Sequence, residues 1–374
     1  MSVIRVIRST ALLSAAALAL SACGSDSATA PAGGNTPSSS SESTLTGTLS
    51  GSGASSQDSA MQAWIAGFTA ANPNTAVQYS PDGSGAGRKA LLAGGVQFAG
   101  SDAHLKDEEV EASIEACGPD GALHIPAYIS PIAIAFNLEG VDELNLDADT
   151  IAGIFRGDIS SWNDPAIAGQ NEGIELPDTP ITVVHRSDES GTTENFTEYL
   201  AAAAPAVWTT EASGEWPADL NGQENAQGTS GVVSAAGATD GAITYADASA
   251  VGSMGTVSVK VGGEYVPYSS EAAAKAVEAS TPVTGEGRPA ADMAMDLVRD
   301  TTESGAYPVV LVSYHIYCTS YPDSETVDLV KAFGSYVVSE EGQAAATDAA
   351  GNAELSEPLR QKAEAAIASI SVSK

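Results

Sequence analysis

The sequence predicts an α/β protein of two domains, each a central β-sheet flanked by helices, joined by two hinge crossover segments. Three observations carry that prediction. The chain has 374 residues, more than one hydrophobic core normally serves. Short apolar runs alternate with helical stretches along most of its length, the rhythm of sheets covered by helices on both faces. Two longer extended runs, 124–136 and 307–318, interrupt that rhythm and suit segments that carry the chain to a second domain and back.

The elements follow in order. Residues 45–49 read as a strand, and 59–71 as a helix with Met61, Trp64, Ile65 and Phe68 on one face. Strand 76–79, short helix 87–93, strand 96–100 and acidic helix 106–116 complete a first βαβα run. The run 124–136 contains Pro126 and Pro131. Proline cannot donate to a ladder, so this run reads as an interdomain crossover rather than one central strand. Strand 181–184, helices 193–203 and 231–236, and strands 242–245 and 257–261 then repeat the rhythm. The second extended run returns the chain, and helices 324–339 and 356–370 close it. The expected domains are 45–130 with 303–374, and 131–302.

Residues 1–22 read as a signal peptide. Arg5 and Arg8 form its positive start, and 11–20 an apolar run too short to span a bilayer as a stable helix. It ends in Leu20-Ser21-Ala22-Cys23, similar to a bacterial lipoprotein signal, in which the cysteine becomes the lipidated first residue. Simple secretion with cleavage after Ala22 is the alternative. Residues 24–44, rich in Ser, Ala, Gly, Thr and Pro, read as a flexible tether reaching about 25 Å. The expected location is the extracytoplasmic face of the cell membrane. With Cys23 lipidated, Cys117 and Cys318 remain as an even pair in an oxidising compartment; a disulfide between them is expected, with two buried thiols as the alternative.

A formal net charge of −33 argues against nucleic acid, because no basic stripe is available to neutralise phosphates. Loss of Arg5 and Arg8 leaves 13 of the 15 basic residues against 48 acidic ones. Any anion must therefore be held by local dipoles and individual cations rather than by the overall field. Three Ser/Gly segments offer such dipoles: Gly51-Ser52-Gly53-Ala54-Ser55-Ser56, Asp82-Gly83-Ser84-Gly85-Ala86-Gly87 and the run from His185 to Thr193. Each stands where a strand should end and a helix begin, so free amides and hydroxyls point at one spot. One alone is an ordinary N-cap. Three, with Arg186 and an isolated Gly100-Ser101-Asp102, point to an oxyanion receptor.

At these residues the chain resembles the phosphate-binding proteins of the bacterial high-affinity phosphate ABC transporter, the Pst system, of the periplasmic binding protein type II superfamily. The resemblance is carried by Gly51 to Ser55, Tyr79 with Gly83-Ser84, Phe98 to Asp102, and Arg186 to Thr192, and outside the site by Gly157-Asp158-Ile159-Ser160-Ser161-Trp162-Asn163-Asp164-Pro165-Ala166-Ile167. It implies a two-lobed binding protein that closes on its ligand by hinge motion. It further implies that Ser55 and Ser84 give hydroxyls to phosphate and Ser56 a backbone N–H. Arg186 gives charge-assisted bonds, held in place by Asp188, and Ser190, Gly191 and Thr192 supply helix-start donors from the second domain. The chain departs from the family at Ser55-Ser56, where Thr followed by Phe is usual; the hydroxyl is kept, and the dryness of that wall is what changes.

Asp102 is the telling residue. A carboxylate facing an anion makes sense when the ligand carries a proton, because hydrogen phosphate can donate to it and sulfate cannot. The plainer role for Asp102 is a helix N-cap ahead of 106–116. The implied protein is a monomeric, lipid-anchored receptor that performs no covalent chemistry, needs no cofactor and delivers phosphate to a membrane permease. The rivals are a receptor for another oxyanion (sulfate, molybdate or a phosphonate) and a secreted hydrolase or phosphatase using Ser190 or Ser55. Against the hydrolase, no Gly-x-Ser-x-Gly elbow surrounds Ser190, and 83–89 lacks the ending of a P-loop. His104, His124, His185 and His315 form no metal spacing. Trp64, Trp162, Trp208 and Trp216 read as packing residues, and Tyr245, Tyr314 and Tyr317 as core or hinge.

Overall fold

A βαβα run opens the folded chain, in a computed structural model that describes residues 45–220 and 223–373. It comprises β1 (Gly47–Gly53), α1 (Asp58–Ala71), β2 (Thr75–Ser80), α2 (Ser84–Leu92), β3 (Phe98–Ser101) and α3 (Asp107–Cys117). The long strand β4 (Ala122–Asn137) follows, then β5 (Glu143–Leu146), α4 (Ala148–Arg156) and α5 (Pro165–Ala168). The second rhythm runs through β6 (Thr182–Arg186), α6 (Gly191–Ala203), β7 (Glu224–Ala226), α7 (Gly228–Ala238) and β8 (Ala242–Asp247). After β9 (Gly255–Val261), β10 (Glu264–Val266), α8 (Ser270–Glu278) and the short pair β11 (Thr281–Pro282) and β12 (Met295–Asp296), the chain returns along β13 (Val310–Cys318). It ends with β14 (Ser320–Tyr321), α9 (Ser324–Val338), α10 (Glu340–Ala350), α11 (Glu357–Ser369) and β15 (Ser371–Val372).

One curled sheet of 11 strands runs through both lobes, in the order β2-β1-β3-β13-β4-β8-β6-β7, with β9 joining β4 to β5 and β10. In the first lobe β1 lies parallel to β2 and β3, with Gly53 opposite Gly100. In the second, β6 lies parallel to β8 and β7. The two long strands β4 and β13 run antiparallel to each other between them. The expected crossover at 124–136 is thus also a single strand of 16 residues, buried along almost all its length. Its two prolines are tolerated because residues 122–131 ladder on β13 and 132–137 on β8, and the register with β13 slips beside Pro126, between Ser313 and Tyr314.

Each lobe packs on aromatic rings. Phe98 stacks on Tyr79 and meets His315 and Phe333, while Trp64 of α1 donates to the Gly342 carbonyl at 2.8 Å. In the second lobe Phe196 stacks on Tyr245 at 4.5 Å, and Phe155 closes against both. Trp64, Trp162 and Trp208 are buried, as packing residues should be, and Trp216 is half-buried. Cys117, the last residue of α3, and Cys318, the last of β13, are joined by a disulfide with a Cα–Cα distance of 4.6 Å. The signal, Cys23 and the tether lie outside the described residues.

Candidate functional site

Two sets of parallel strands end toward the seam between the lobes: β1 at Gly53, β2 at Ser80 and β3 at Ser101 in the first lobe, and β6 at Arg186 and β7 at Ala226, running the opposite way, in the second. The carboxyl ends of parallel strands are where α/β proteins bind ligands, because each chain end there turns into a helix start with free N–H groups. Here β1 leads to α1, β2 to α2, β6 to α6 and β7 to α7. The turn after β1 needs glycine: Gly53 has φ +146°, and a Cβ there would overlap the Gly100 carbonyl.

Asp102, just past the end of β3, is the centre. It is 4% exposed. Ser56 Oγ donates to its Oδ1 at 2.6 Å, and Thr192 Oγ1, from the second lobe, to its Oδ2 at 3.1 Å. Its backbone N–H donates to Ser84 Oγ at 3.1 Å, and its carbonyl accepts from Asn195 Nδ2 at 2.7 Å. Burial pushes its carboxyl up, while the Ser56, Ser313 and Thr192 hydroxyls and the Arg186 charge pull the other way. Each carboxylate oxygen can accept twice, so the group keeps acceptor capacity for one more donor. Asp102 is no N-cap: α3 starts after Lys106, whose backbone N–H donates to Glu109 Oε2 at 3.0 Å.

Arg186 is 3% exposed and grips Asp188 with two nitrogens, Nε to Oδ1 at 2.8 Å and Nη2 to Oδ2. Asp188 Oδ1 also accepts from the Gly228 N–H at 3.0 Å. Burial would raise the Asp188 carboxyl, but the Arg186 guanidinium and the Gly228 amide outweigh that and hold it below the usual range. Ser190 caps α6, its Oγ accepting from Thr193 N at 3.2 Å, which leaves the Ser190 hydroxyl proton free to donate. Gly191 must be small, because a Cβ there would sit 2.6 Å from Ser84 Oγ and 2.7 Å from Asp102 Cβ. These contacts bring Ser56, Ser84, Gly191 and Thr192 against Asp102, whereas Ser55 pairs with Thr229 and Arg186 with Asp188.

Sequence reasoning missed Thr229. The helix expected at 231–236 starts three residues earlier, at Gly228, and brings Thr229 across to the first lobe. Its N–H donates to Ser55 Oγ at 3.0 Å, and the two side-chain oxygens lie 3.0 Å apart. No charge or Gly-rich pattern marks it; only a helix start predicted directly after Ala226 would have found it. Ser190, one of the two hydrolase candidates, serves as a helix cap, and the neighbouring His185 ring stacks on Trp216 at 5.0 Å with Nδ1 at 2.8 Å from the Arg186 carbonyl. Among the described residues no three His, Cys, Asp or Glu group to hold a metal ion.

Helix starts and a buried carboxylate meeting across a two-lobed seam define a class of small-ligand binding protein. The family model described as the PBP superfamily domain matches residues 38–341. Phosphate-binding protein PstS 3 of Mycobacterium tuberculosis is 37% identical over 334 residues, covering 86% of this chain and 87% of that one. PstS 2 of the same organism is 37% identical over the same shares. Among solved structures, a high-affinity periplasmic phosphate-binding protein, PfluDING, bound with phosphate, superposes with a TM-score of 0.66 at 24% identity, covering 85% of this chain and 93% of that chain. A phosphate-binding protein from Stenotrophomonas maltophilia gives 0.64 at 22% over the same shares. The chain belongs to the PBP superfamily and, within it, to the PstS family of phosphate-binding proteins, whose members are binding proteins rather than enzymes.

Proposed function

We propose that this protein captures inorganic phosphate between its lobes on the extracytoplasmic face of a cell membrane and delivers it to the permease of an ABC transporter. The observation that carries this reading is Asp102, a buried carboxylate with spare acceptor capacity among hydroxyl donors and four helix starts. Such a group repels a fully deprotonated anion and accepts from a protonated one, so phosphate fits where sulfate does not. Ser55, Ser84 and Ser190 would give hydroxyls, Ser56, Gly191 and Thr192 backbone N–H groups, and Arg186 charge. The names of the relatives support the same ligand.

In this reading residues 45–130 and 303–374 form one domain and 131–302 the other, with β4 and β13 as the two hinge crossings. Cys23 carries the lipid, 24–44 is the tether, and the protein works as a monomer. Among the described residues no helix is long and apolar enough to cross a membrane. The test is competition between phosphate and sulfate on wild type and Asp102→Asn. Wild type should prefer phosphate by on the order of 10⁴, and the variant should lose at least about tenfold of that preference. An unchanged ratio removes Asp102 from the reading.

A further inference from the structure

Anion recognition leaves the Glu189 side chain unused, yet Glu189 gathers three of the chain's 15 basic residues. Arg88 Nη2 lies 3.3 Å from its carboxylate, Lys89 Nζ 2.6 Å and Lys106 Nζ 3.6 Å. All three cations belong to the first lobe, Arg88 and Lys89 on α2 and Lys106 at the start of α3, whereas Glu189 lies between β6 and α6 of the second. The main chain makes the same crossing: Gly85 N donates to the Glu189 carbonyl at 3.1 Å. Gly85 also clears the space, since a Cβ there would stand 2.6 Å from Glu189 Cγ and press on the carboxylate itself.

The group differs from an ordinary surface ion pair. The Arg88 side chain is 1% exposed and that of Glu189 17%, so solvent and salt screen this pair less than an exposed one. Arg88 is fixed within its own lobe before Glu189 arrives, donating through Nε to both Glu109 oxygens at 3.1 and 2.9 Å and through Nη1 to Ser101 Oγ at 3.2 Å. The arriving carboxylate therefore meets a guanidinium that loses little freedom on pairing.

We propose that Glu189 is a positioning residue for ligand retention: its carboxylate clasps Arg88, Lys89 and Lys106 across the seam, holds the lobes closed and so sets how fast the anion leaves. This rests on the phosphate reading above and adds to it the residue that governs release. A competing effect has the opposite sign. Glu189 is an anion near an anion site, and removing it would also uncover three cations, which by itself speeds entry and slows release. Kinetics decide which effect wins, because truncating one partner of a sheltered charge pair acts chiefly on dissociation.

The experiment is stopped-flow binding of inorganic phosphate to wild type, Glu189→Gln and Gly85→Ala, at low and at high sodium chloride. Both variants should release phosphate about tenfold faster, with association changed by less than about threefold. High salt should speed release from wild type only slightly, through the exposed Lys89 arm, and leave Glu189→Gln nearly unaffected. Gly85→Ala puts a better helix former into α2, so an unchanged ligand-free melting temperature separates a lost clasp from a damaged fold. Unchanged or slower release from Glu189→Gln overturns the clasp. Failure of wild type to take up phosphate sinks the functional reading and this proposal with it. Phosphate binding by wild type with unaltered release in both variants sinks the clasp alone.

Discussion

The Arg186 guanidinium is fixed along one edge by Asp188, which is itself held by the Gly228 amide, so one residue of each pair orients the next. Replacing Arg186 with alanine removes the buried positive charge and strands Asp188. Phosphate affinity should fall by about 3 kcal/mol or more, read by calorimetry, and wild-type affinity in Arg186→Ala would take it out of the site. Asp247 makes a different, pH-dependent contribution. It accepts from Tyr128 Oη at 2.9 Å and Ser249 Oγ at 2.6 Å, while its Oδ2 is buried without a partner. Burial pushes its carboxyl up to about 6, against roughly 4 for an exposed aspartate. The folded chain therefore binds that proton more tightly than the unfolded one, so its contribution to stability is intact below about pH 4 and lost as pH rises through 6. Asp247→Asn should raise the stability at pH 8, by on the order of 3 kcal/mol at most, and make little difference at pH 4. Melting curves at the two pH values check this; an equal gain at both would contradict it.

At the scale of elements, the strand-to-helix turns were legible because each must carry glycine or a small hydroxyl residue, and those residues cluster in the chain. The loops holding Ser55, Ser84, Asp102 and Arg186 to Thr192 all lie at strand ends that the alternation predicts. Thr229 was hidden because α7 opens on Gly228-Thr229-Ser230-Gly231, a run that reads as loop until β7 is known to end at Ala226. β4 was half legible: its apolar length announced a long extended segment, but its prolines argued against a ladder that in fact passes to another partner after Pro131. The helices α4, α5, α8 and α10 were not anticipated, although α4 carries both boundary signals, an Asp147 cap on Thr150 N at 2.9 Å and Gly157 at φ +81°. The Cys117–Cys318 disulfide ties the end of α3 to the end of β13 across 201 residues of chain. Loss of both cysteines, as Cys117→Ser with Cys318→Ser, should lower stability by about 2–5 kcal/mol in chemical denaturation without altering the phosphate site. A variant as stable as wild type would contradict that role.

At the scale of the whole molecule, one sheet shared by two lobes carries helix starts from both to a seam at Asp102. The acidity of the chain, −33 in formal charge, means that its anion selectivity must come from that seam and not from long-range attraction. Ser55 on Thr229, Thr192 on Asp102 and Glu189 on Arg88 all cross between lobes. The most direct test is a calorimetric titration of the ligand-stripped mature protein with inorganic phosphate, repeated with sulfate in excess. Tight one-to-one uptake of phosphate that sulfate does not displace is the expected result. A folded protein that ignores phosphate, or that binds sulfate as well, would contradict it.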